Sequence, residues 1–158
     1  MSTIHTLRRS LLLSVLSLAL LLGMMASITH AETAPQTSAP PIEVMPLVSY
    51  TGYTYLQSSD LQFSVNSNKL GTVNVTTQTK STVSELGAIV TLQRYTGSSW
   101  IDVSTATTLS STNSNYYTGS VTYTVTSGYY YRVKSTHYAK QGNVTESVTE
   151  YSNTVLAG

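Results

Sequence analysis

Apolar and polar residues alternate along most of the chain after residue 60, which is the period of a β-strand with one buried face. Leu61, Phe63 and Val65 share one face of such a strand, and Ala88, Val90 and Leu92 share another. The same alternation recurs in further runs, which are Val73 and Val75, Ile101 and Val103, Val121 to Val125, Tyr129 to Val133, and Val144 to Val155. Turn signals separate several of these runs, at Gly97-Ser98-Ser99, Ser127-Gly128 and Gln141-Gly142-Asn143. Because no stretch of the domain shows helical spacing with caps, the pattern predicts about eight short strands and no helix.

This number of strands, without the helices that parallel neighbours require, favours an antiparallel β-sandwich. A Greek-key sandwich of the immunoglobulin or fibronectin type III kind is the first expectation, and a small closed β-barrel is the alternative. Tyr131-x-Val133 in a late strand, followed by a hairpin and a final strand, resembles the last two strands of fibronectin type III domains.

The first 31 residues differ from the rest and read as a secretory signal peptide. Arg8 and Arg9 precede a long apolar stretch, and Thr29-His30-Ala31 provides small residues at a cleavage site. All four prolines then lie between Glu32 and Leu47, among Ser, Thr, Ala and Gln, which predicts a disordered leader over residues 32–46. The β domain is expected to span residues 47–158.

Composition narrows the function further. The 158 residues include no cysteine, which excludes a disulfide scaffold and a thiolate metal site. The chain after Ala31 carries six basic and seven acidic residues, so we expect no nucleic-acid partner. It contains no further apolar stretch long enough to cross a bilayer, so we expect a secreted, extracellular protein that leaves the membrane after cleavage.

The residues that could carry catalysis are few. His137 is the only histidine after Ala31 and the only candidate base for a serine hydrolase, and we interpret it as a partly buried or rim residue hydrogen-bonded to backbone. Glu146 and Glu150 lie about 13 Å apart along one strand, too far for paired-carboxylate glycoside hydrolysis. They are expected to pair across strands with Arg132, Lys134 or Lys140. No calcium or phosphate loop is evident, so we predict a non-catalytic protein without a cofactor.

Tyrosine is the remaining signal for function, with 12 in the chain. Strand parity places Tyr130, Arg132, Lys134 and Tyr138 on an outer face, opposite to Tyr131, Val133 and His137. The candidate ligand-binding residues are Tyr130, Arg132, Tyr138, Tyr116 and Tyr117, and Tyr50, Tyr53, Tyr55 and Trp100 could extend this surface. The alternative is that tyrosine simply suits half-wet strand faces. For Trp100 itself, we expect packing in a core or turn rather than contact with a ligand.

The second half of the chain carries two longer motifs. These are the Leu92-Gln93-Arg94 and Gly97 to Trp100 hairpin, and the Gly128 to Val133 block followed by His137, Gly142, Glu146, Ser147 and Tyr151. Together they resemble an uncharacterised family of small secreted proteins of Gram-positive bacteria. The resemblance implies secretion and a β fold, and it transfers no functional residues.

Two functions from different classes follow from these observations. The first is a secreted binding or extracellular-matrix protein, with a cell-wall polysaccharide or another protein as its partner. The second is a secreted, bacteriocin-like or toxin-like antagonist. Self-assembly is a further possibility, because low-charge strands rich in Val and Thr aggregate when their edges are unpaired.

Overall fold

The computed structural model describes residues 34–42 and 48–158, and in these residues the regular structure is strand throughout. The predicted signal peptide, residues 1–31, lies outside the described residues, as do residues 43–47. The described chain forms one antiparallel sheet of seven strands. These are β1 (Leu56–Val65), β2 (Leu70–Tyr95), β3 (Trp100–Asp102), β4 (Thr107–Thr124), β5 (Tyr130–Gln141), β6 (Val144–Tyr151) and β7 (Val155–Leu156). The prediction of an antiparallel all-β domain is confirmed, whereas these residues hold seven strands rather than about eight.

The long strand β2 organises the sheet. Its first arm, residues 70–78, pairs with β1 on one side and with β4 on the other. Its second arm, residues 83–95, pairs with β5 and with the beginning of β4, and the end of this arm pairs with β3. The register between β2 and β4 shifts between Gln78 and Val83. The runs around Val75 and Val90 were expected to be separate strands, but they are two parts of one strand joined through this irregularity.

The two arms of β2 face each other, so that the sheet curls into a half-barrel. The main core joins side chains from both arms and their neighbours, namely Phe63, Val73, Val75, Ala88, Val90, Leu92, Val125, Tyr131, Val133 and Ala157. Each fully buried Val or Leu contributes about 2 kcal/mol relative to an exposed one. The alternation seen in the sequence therefore marks the concave, buried side of the sheet.

A second, smaller core fills the bend and contains Leu56, Val83, Leu86 and Ala139. The segment before β1 covers it with Tyr50, Tyr53 and Tyr55. This segment also bonds to β6, because Tyr53 donates to the Ser147 carbonyl at 3.0 Å and Tyr50 donates to Glu150 Oε1 at 3.0 Å. The tyrosines before β1 thus close the gap between β1 and β6.

The predicted partners of Glu146 and Glu150 are wrong. Glu146 is opposite Ala139 and Glu150 is opposite Ser135, on the face of the sheet away from Arg132, Lys134 and Lys140. Glu146 instead accepts backbone N–H bonds from Thr54, Tyr55 and Leu56 at 2.5, 2.8 and 2.9 Å. Its carboxylate fastens the beginning of β1 to β6.

Residues 34–42, the described part of the predicted leader, form no strand or helix. They are nevertheless in contact with the domain, since the Gln36 amide donates to the Gly128 carbonyl at 2.6 Å. Gly128 has φ of +83°, and a Cβ at this position would meet Gln36 and the Ala34 carbonyl. Within the described residues, no helix is long and apolar enough to cross a membrane.

Candidate functional site

The convex outer side of the second arm carries a group of aromatic and polar side chains. Because directly paired residues share a face, Trp100 lies beside Tyr95, Asp102 beside Gln93, and Arg132 on the other side of Gln93. Lys134 and Tyr151 are paired in the same way. We call this group the outer platform and define it as Tyr95, Trp100, Tyr130, Arg132 and Tyr151 with Gln93, Asp102 and Lys134.

Arg132 lies at the centre of the outer platform. Its guanidinium carbon is 4.3 Å from the ring centroid of Trp100 and 4.3 Å from that of Tyr151. Tyr95 packs against Trp100 with centroids 5.2 Å apart and a tilted geometry. Stacking of this kind restrains the rings and the guanidinium.

A row of hydrogen bonds crosses the platform beside the rings. Arg132 Nε donates to Gln93 Oε1 at 2.8 Å, and Gln93 Nε2 donates to Asp102 Oδ1 at 2.7 Å. Lys134 Nζ lies 3.7 Å from Asp102 Oδ2, and both side chains are substantially exposed. Two cations and one carboxylate therefore share a network of small net charge, in which Asp102 is exposed and Lys134 partly exposed, whereas Gln93 and Arg132 are buried beside the aromatic rings.

The structure separates the predicted ligand-binding residues. Tyr130 and Arg132 belong to the outer platform, and Tyr138 lies on the same face at the far end of β5, where its hydroxyl donates to Glu85 at 2.6 Å. Burial raises the pKa of Tyr138, and the bond to Glu85 adds to this shift. Tyr116 and Tyr117 lie on β4 beside the first arm, with Tyr116 half-exposed and Tyr117 packed against both cores.

Sequence reasoning missed several members of the platform. It did not include Tyr151, Gln93 or Asp102, although strand parity in a known register would have placed them next to Arg132. Trp100, which we expected in a core or turn, is half-buried on this outer face. Tyr50 has a different role, since its hydroxyl is hydrogen-bonded to Ser59 and Glu150, and burial raises its pKa to about 12.

His137 is fully buried on the concave side of the sheet, so the expectation of a partly buried or rim residue is wrong. Its partners are side chains rather than the backbone groups we expected, with Nδ1 2.8 Å from Thr77 Oγ1 and Nε2 3.0 Å from Ser135 Oγ. Thr77 donates its proton to the Gly87 carbonyl at 3.0 Å, which assigns the histidine proton to Nδ1 and leaves Nε2 to accept from Ser135. Burial lowers the pKa of His137 to about 4.

The Ser135–His137 pair has the hydrogen-bond geometry of a nucleophile and its base. Both side chains are fully buried, however, and the third partner is Thr77 rather than a carboxylate. The arrangement satisfies polar groups in the interior of the domain. Across residues 34–42 and 48–158, no group of three or more His, Cys, Asp or Glu side chains is placed to hold a metal ion.

The fold and the outer platform together define an antiparallel all-β protein with an ordered aromatic and polar surface on its convex side. Comparison of the chain with protein-family models, with curated proteins and with solved structures gave no match.

Proposed function

We propose that this protein is a secreted, non-catalytic binding protein whose outer platform takes a neutral polysaccharide of a cell wall or extracellular matrix. The observation that carries the proposal is the stack of Trp100, Arg132 and Tyr151 beside the polar row of Gln93 and Asp102. Secretion is supported by the signal-peptide pattern of residues 1–31. For the fold of the domain, an immunoglobulin-like or fibronectin-like sandwich remains our prediction.

The shape of the platform favours a polymer over a small molecule. Small-molecule sites are concave and enclose most of the ligand. The platform instead lies on the convex side of a curled sheet, where a surface can contact several units of an extended chain. An insoluble or very long polymer suits such a surface because many weak contacts act together.

The chemistry of the platform favours a neutral sugar polymer. Aromatic rings provide rigid apolar area, and tyrosine adds a hydroxyl that can bond to sugar hydroxyls. Asp102 lies close to Lys134, and Arg132 stacks on the rings of Trp100 and Tyr151, so the platform carries a net charge of only +1. A strongly anionic polymer would require a larger excess of cations.

Pre-organisation supports binding as well. A flexible arginine or lysine loses rotamer freedom when it binds a ligand, at a cost of about 1 kcal/mol. Arg132 is 8% exposed and already held by two rings and by Gln93, so that cost has been met on folding.

The test is retention of the purified protein on insoluble polymers. The panel is cellulose, chitin, xylan and purified bacterial cell walls, with serum albumin as the reference for non-specific retention. We expect retention on at least one polymer, resistant to moderate salt and weakened by Tyr130→Ala. Absence of retention on every polymer would overturn the proposal, and so would retention that is unchanged in a folded Tyr130→Ala variant.

A further inference from the structure

Within the described residues, strand β4 has one edge that pairs with no other strand. Its 18 residues, Thr107–Thr124, pair with β2, and no other strand of the described residues pairs with it. Half of the backbone N–H and C=O groups of a strand point to each side, so a free edge is a template for a further strand. β4 contains no charged residue and no proline, which are the features that usually protect such an edge.

The other long edges of the sheet are protected. β1 carries Asp60, and the amides at its beginning are bonded to Glu146. β6 carries Glu146 and Glu150, and Tyr53 bonds to its Ser147 carbonyl. The contrast singles out β4 as the edge that is open to strand addition.

The second half of β4 is partly symmetric about Ser120. Read outward from this serine, Thr122 mirrors Thr118 and Tyr123 mirrors Tyr117, whereas Val121 lies opposite Gly119 and Thr124 opposite Tyr116. Two antiparallel copies that are related by a two-fold axis place each residue opposite its mirror position. Such a dimer would therefore bring together two like pairs, Thr118 with Thr122 and Tyr117 with Tyr123.

The mirror pairs also agree with the two faces of the strand. Tyr117, Val121 and Tyr123 pack towards the core, so a Tyr117–Tyr123 pair would extend the concave side. Thr118, Ser120 and Thr122 are exposed on the opposite side, where Thr–Thr pairs form. Aromatic pairs and Thr–Thr pairs are favourable cross-strand neighbours, each contributing some tenths of a kcal/mol to about 1 kcal/mol.

We infer that a second copy of this chain binds to the β4 edge, antiparallel, through residues 116–124 with the two-fold axis at Ser120. The two sheets then form one continuous sheet across the dimer. The inference is independent of the polysaccharide proposal. The outer platform lies on the second arm of β2 and its neighbours, whereas residues 116–124 of β4 pair with the first arm.

Sedimentation equilibrium tests the inference on protein expressed from the full sequence, with the N-terminus of the purified form read by mass spectrometry. The wild type is expected to show a concentration-dependent monomer–dimer equilibrium. Ser120→Lys and Ser120→Glu each place two like charges directly opposite each other at the axis, and each should weaken the dimer at least tenfold. An equimolar mixture of the two variants should restore it.

Thr145→Lys and Thr145→Glu are the matched controls, since Thr145 is an exposed residue of another edge strand, β6. They should leave the equilibrium unchanged, and near-ultraviolet circular dichroism verifies that every variant is folded. A monomer at all concentrations would overturn the inference, as would a dimer that persists in Ser120→Lys. Failure of the mixture to recover the dimer would contradict the proposed axis.

A cross-link gives a second and independent measurement, because the chain contains no cysteine. Cross-strand neighbours have Cβ atoms about 5 Å apart, which a disulfide can bridge with a small adjustment. Ser120→Cys is expected to form a covalent dimer under mild oxidation far faster than Thr145→Cys. Equal rates for the two variants would contradict pairing at Ser120.

Discussion

Thr77 Oγ1 lies 2.8 Å from His137 Nδ1, and this hydrogen bond joins the two arms of the curled sheet. Thr77 belongs to the first arm of β2, whereas His137 is on β5 and pairs with Ala88 of the second arm. The same threonine donates to the Gly87 carbonyl, so the contact fixes how closely the arms approach. Burial disfavours the charged imidazolium, so this network is most stable while the imidazole is neutral.

The first prediction concerns stability in acid. The pKa of His137 is lowered by burial from 6.5 to about 4, so between these values the unfolded chain binds a proton that the folded chain does not. The free energy of unfolding should therefore fall as the pH decreases from about 6.5 to about 4, by about 1.4 kcal/mol per pH unit and about 3 kcal/mol in total. Urea unfolding curves at several pH values measure this slope.

His137→Gln provides the control for this slope. Its amide can donate to Thr77 and accept from Ser135, but it does not titrate. Carboxylates titrate in both proteins, so the difference between the two slopes of unfolding free energy against pH gives the contribution of the histidine. Equal slopes for the wild type and the variant would contradict the assignment of a buried, neutral His137.

The second prediction concerns Glu146. Burial alone raises its pKa, but the backbone hydrogen bonds from Leu56, Tyr55 and Thr54 outweigh burial and lower it. Glu146→Ala leaves three amides without this acceptor and should lower the free energy of unfolding at pH 7 by about 2 kcal/mol.

Glutamine substitutions compare Glu146 with Glu150, since Glu146→Gln and Glu150→Gln each remove a charge and keep the size of the side chain. Burial raises the pKa of Glu150, which shows that its charged form is disfavoured in the folded state. Loss of that charge should therefore cost less stability than the same change at position 146. Chemical denaturation of Glu146→Gln and Glu150→Gln at pH 7 measures both losses of unfolding free energy. Equal losses would argue against a stabilising role for the backbone hydrogen bonds to Glu146.

The third prediction concerns Gly87, where β2 and β4 approach closely. A Cβ on Gly87 would overlap the Leu109 carbonyl oxygen and lie 2.7 Å from Ser110 Cα, both of which are backbone atoms. Gly87→Ala should therefore lower the free energy of unfolding by about 1–3 kcal/mol. Gly119→Ala should cost less, because the atoms nearest to its new methyl group belong to the Tyr117 side chain, which can move, rather than to the backbone. Thermal or urea unfolding of the two variants decides the order.

Much of the concave side of the sheet could be predicted from the sequence. The alternation from Tyr129 to Val133 placed the core side of β5 and the parity of His137, and the three glycine-containing turn signals fall at or next to strand ends. These features are local, because the alternation of a strand and the backbone conformation of a turn depend on residues that are adjacent in the sequence.

The edges and the convex side could not be predicted in the same way. Residues 107–120 are mostly Ser, Thr and Asn and lack apolar alternation, yet they form most of β4 through pairing with β2. The roles of Glu146 and Tyr151 depend on the register of β6 against β5 and on the path of the chain before β1. Register is a long-range property, which a single sequence does not specify by its local pattern.

The binding isotherm of two matched tyrosine variants tests the central claim most directly. Tyr151 is 39% exposed and stacks on Arg132 in the outer platform, whereas Tyr116 is 50% exposed on β4, away from the platform. On the insoluble polysaccharide that retains the wild type best, Tyr151→Ala should weaken binding about tenfold, or about 1.4 kcal/mol. Tyr116→Ala should bind as the wild type does when both are compared at concentrations at which sedimentation shows only monomer. Equal affinity of all three folded proteins, or an equal loss in both variants, would contradict a binding surface at the outer platform.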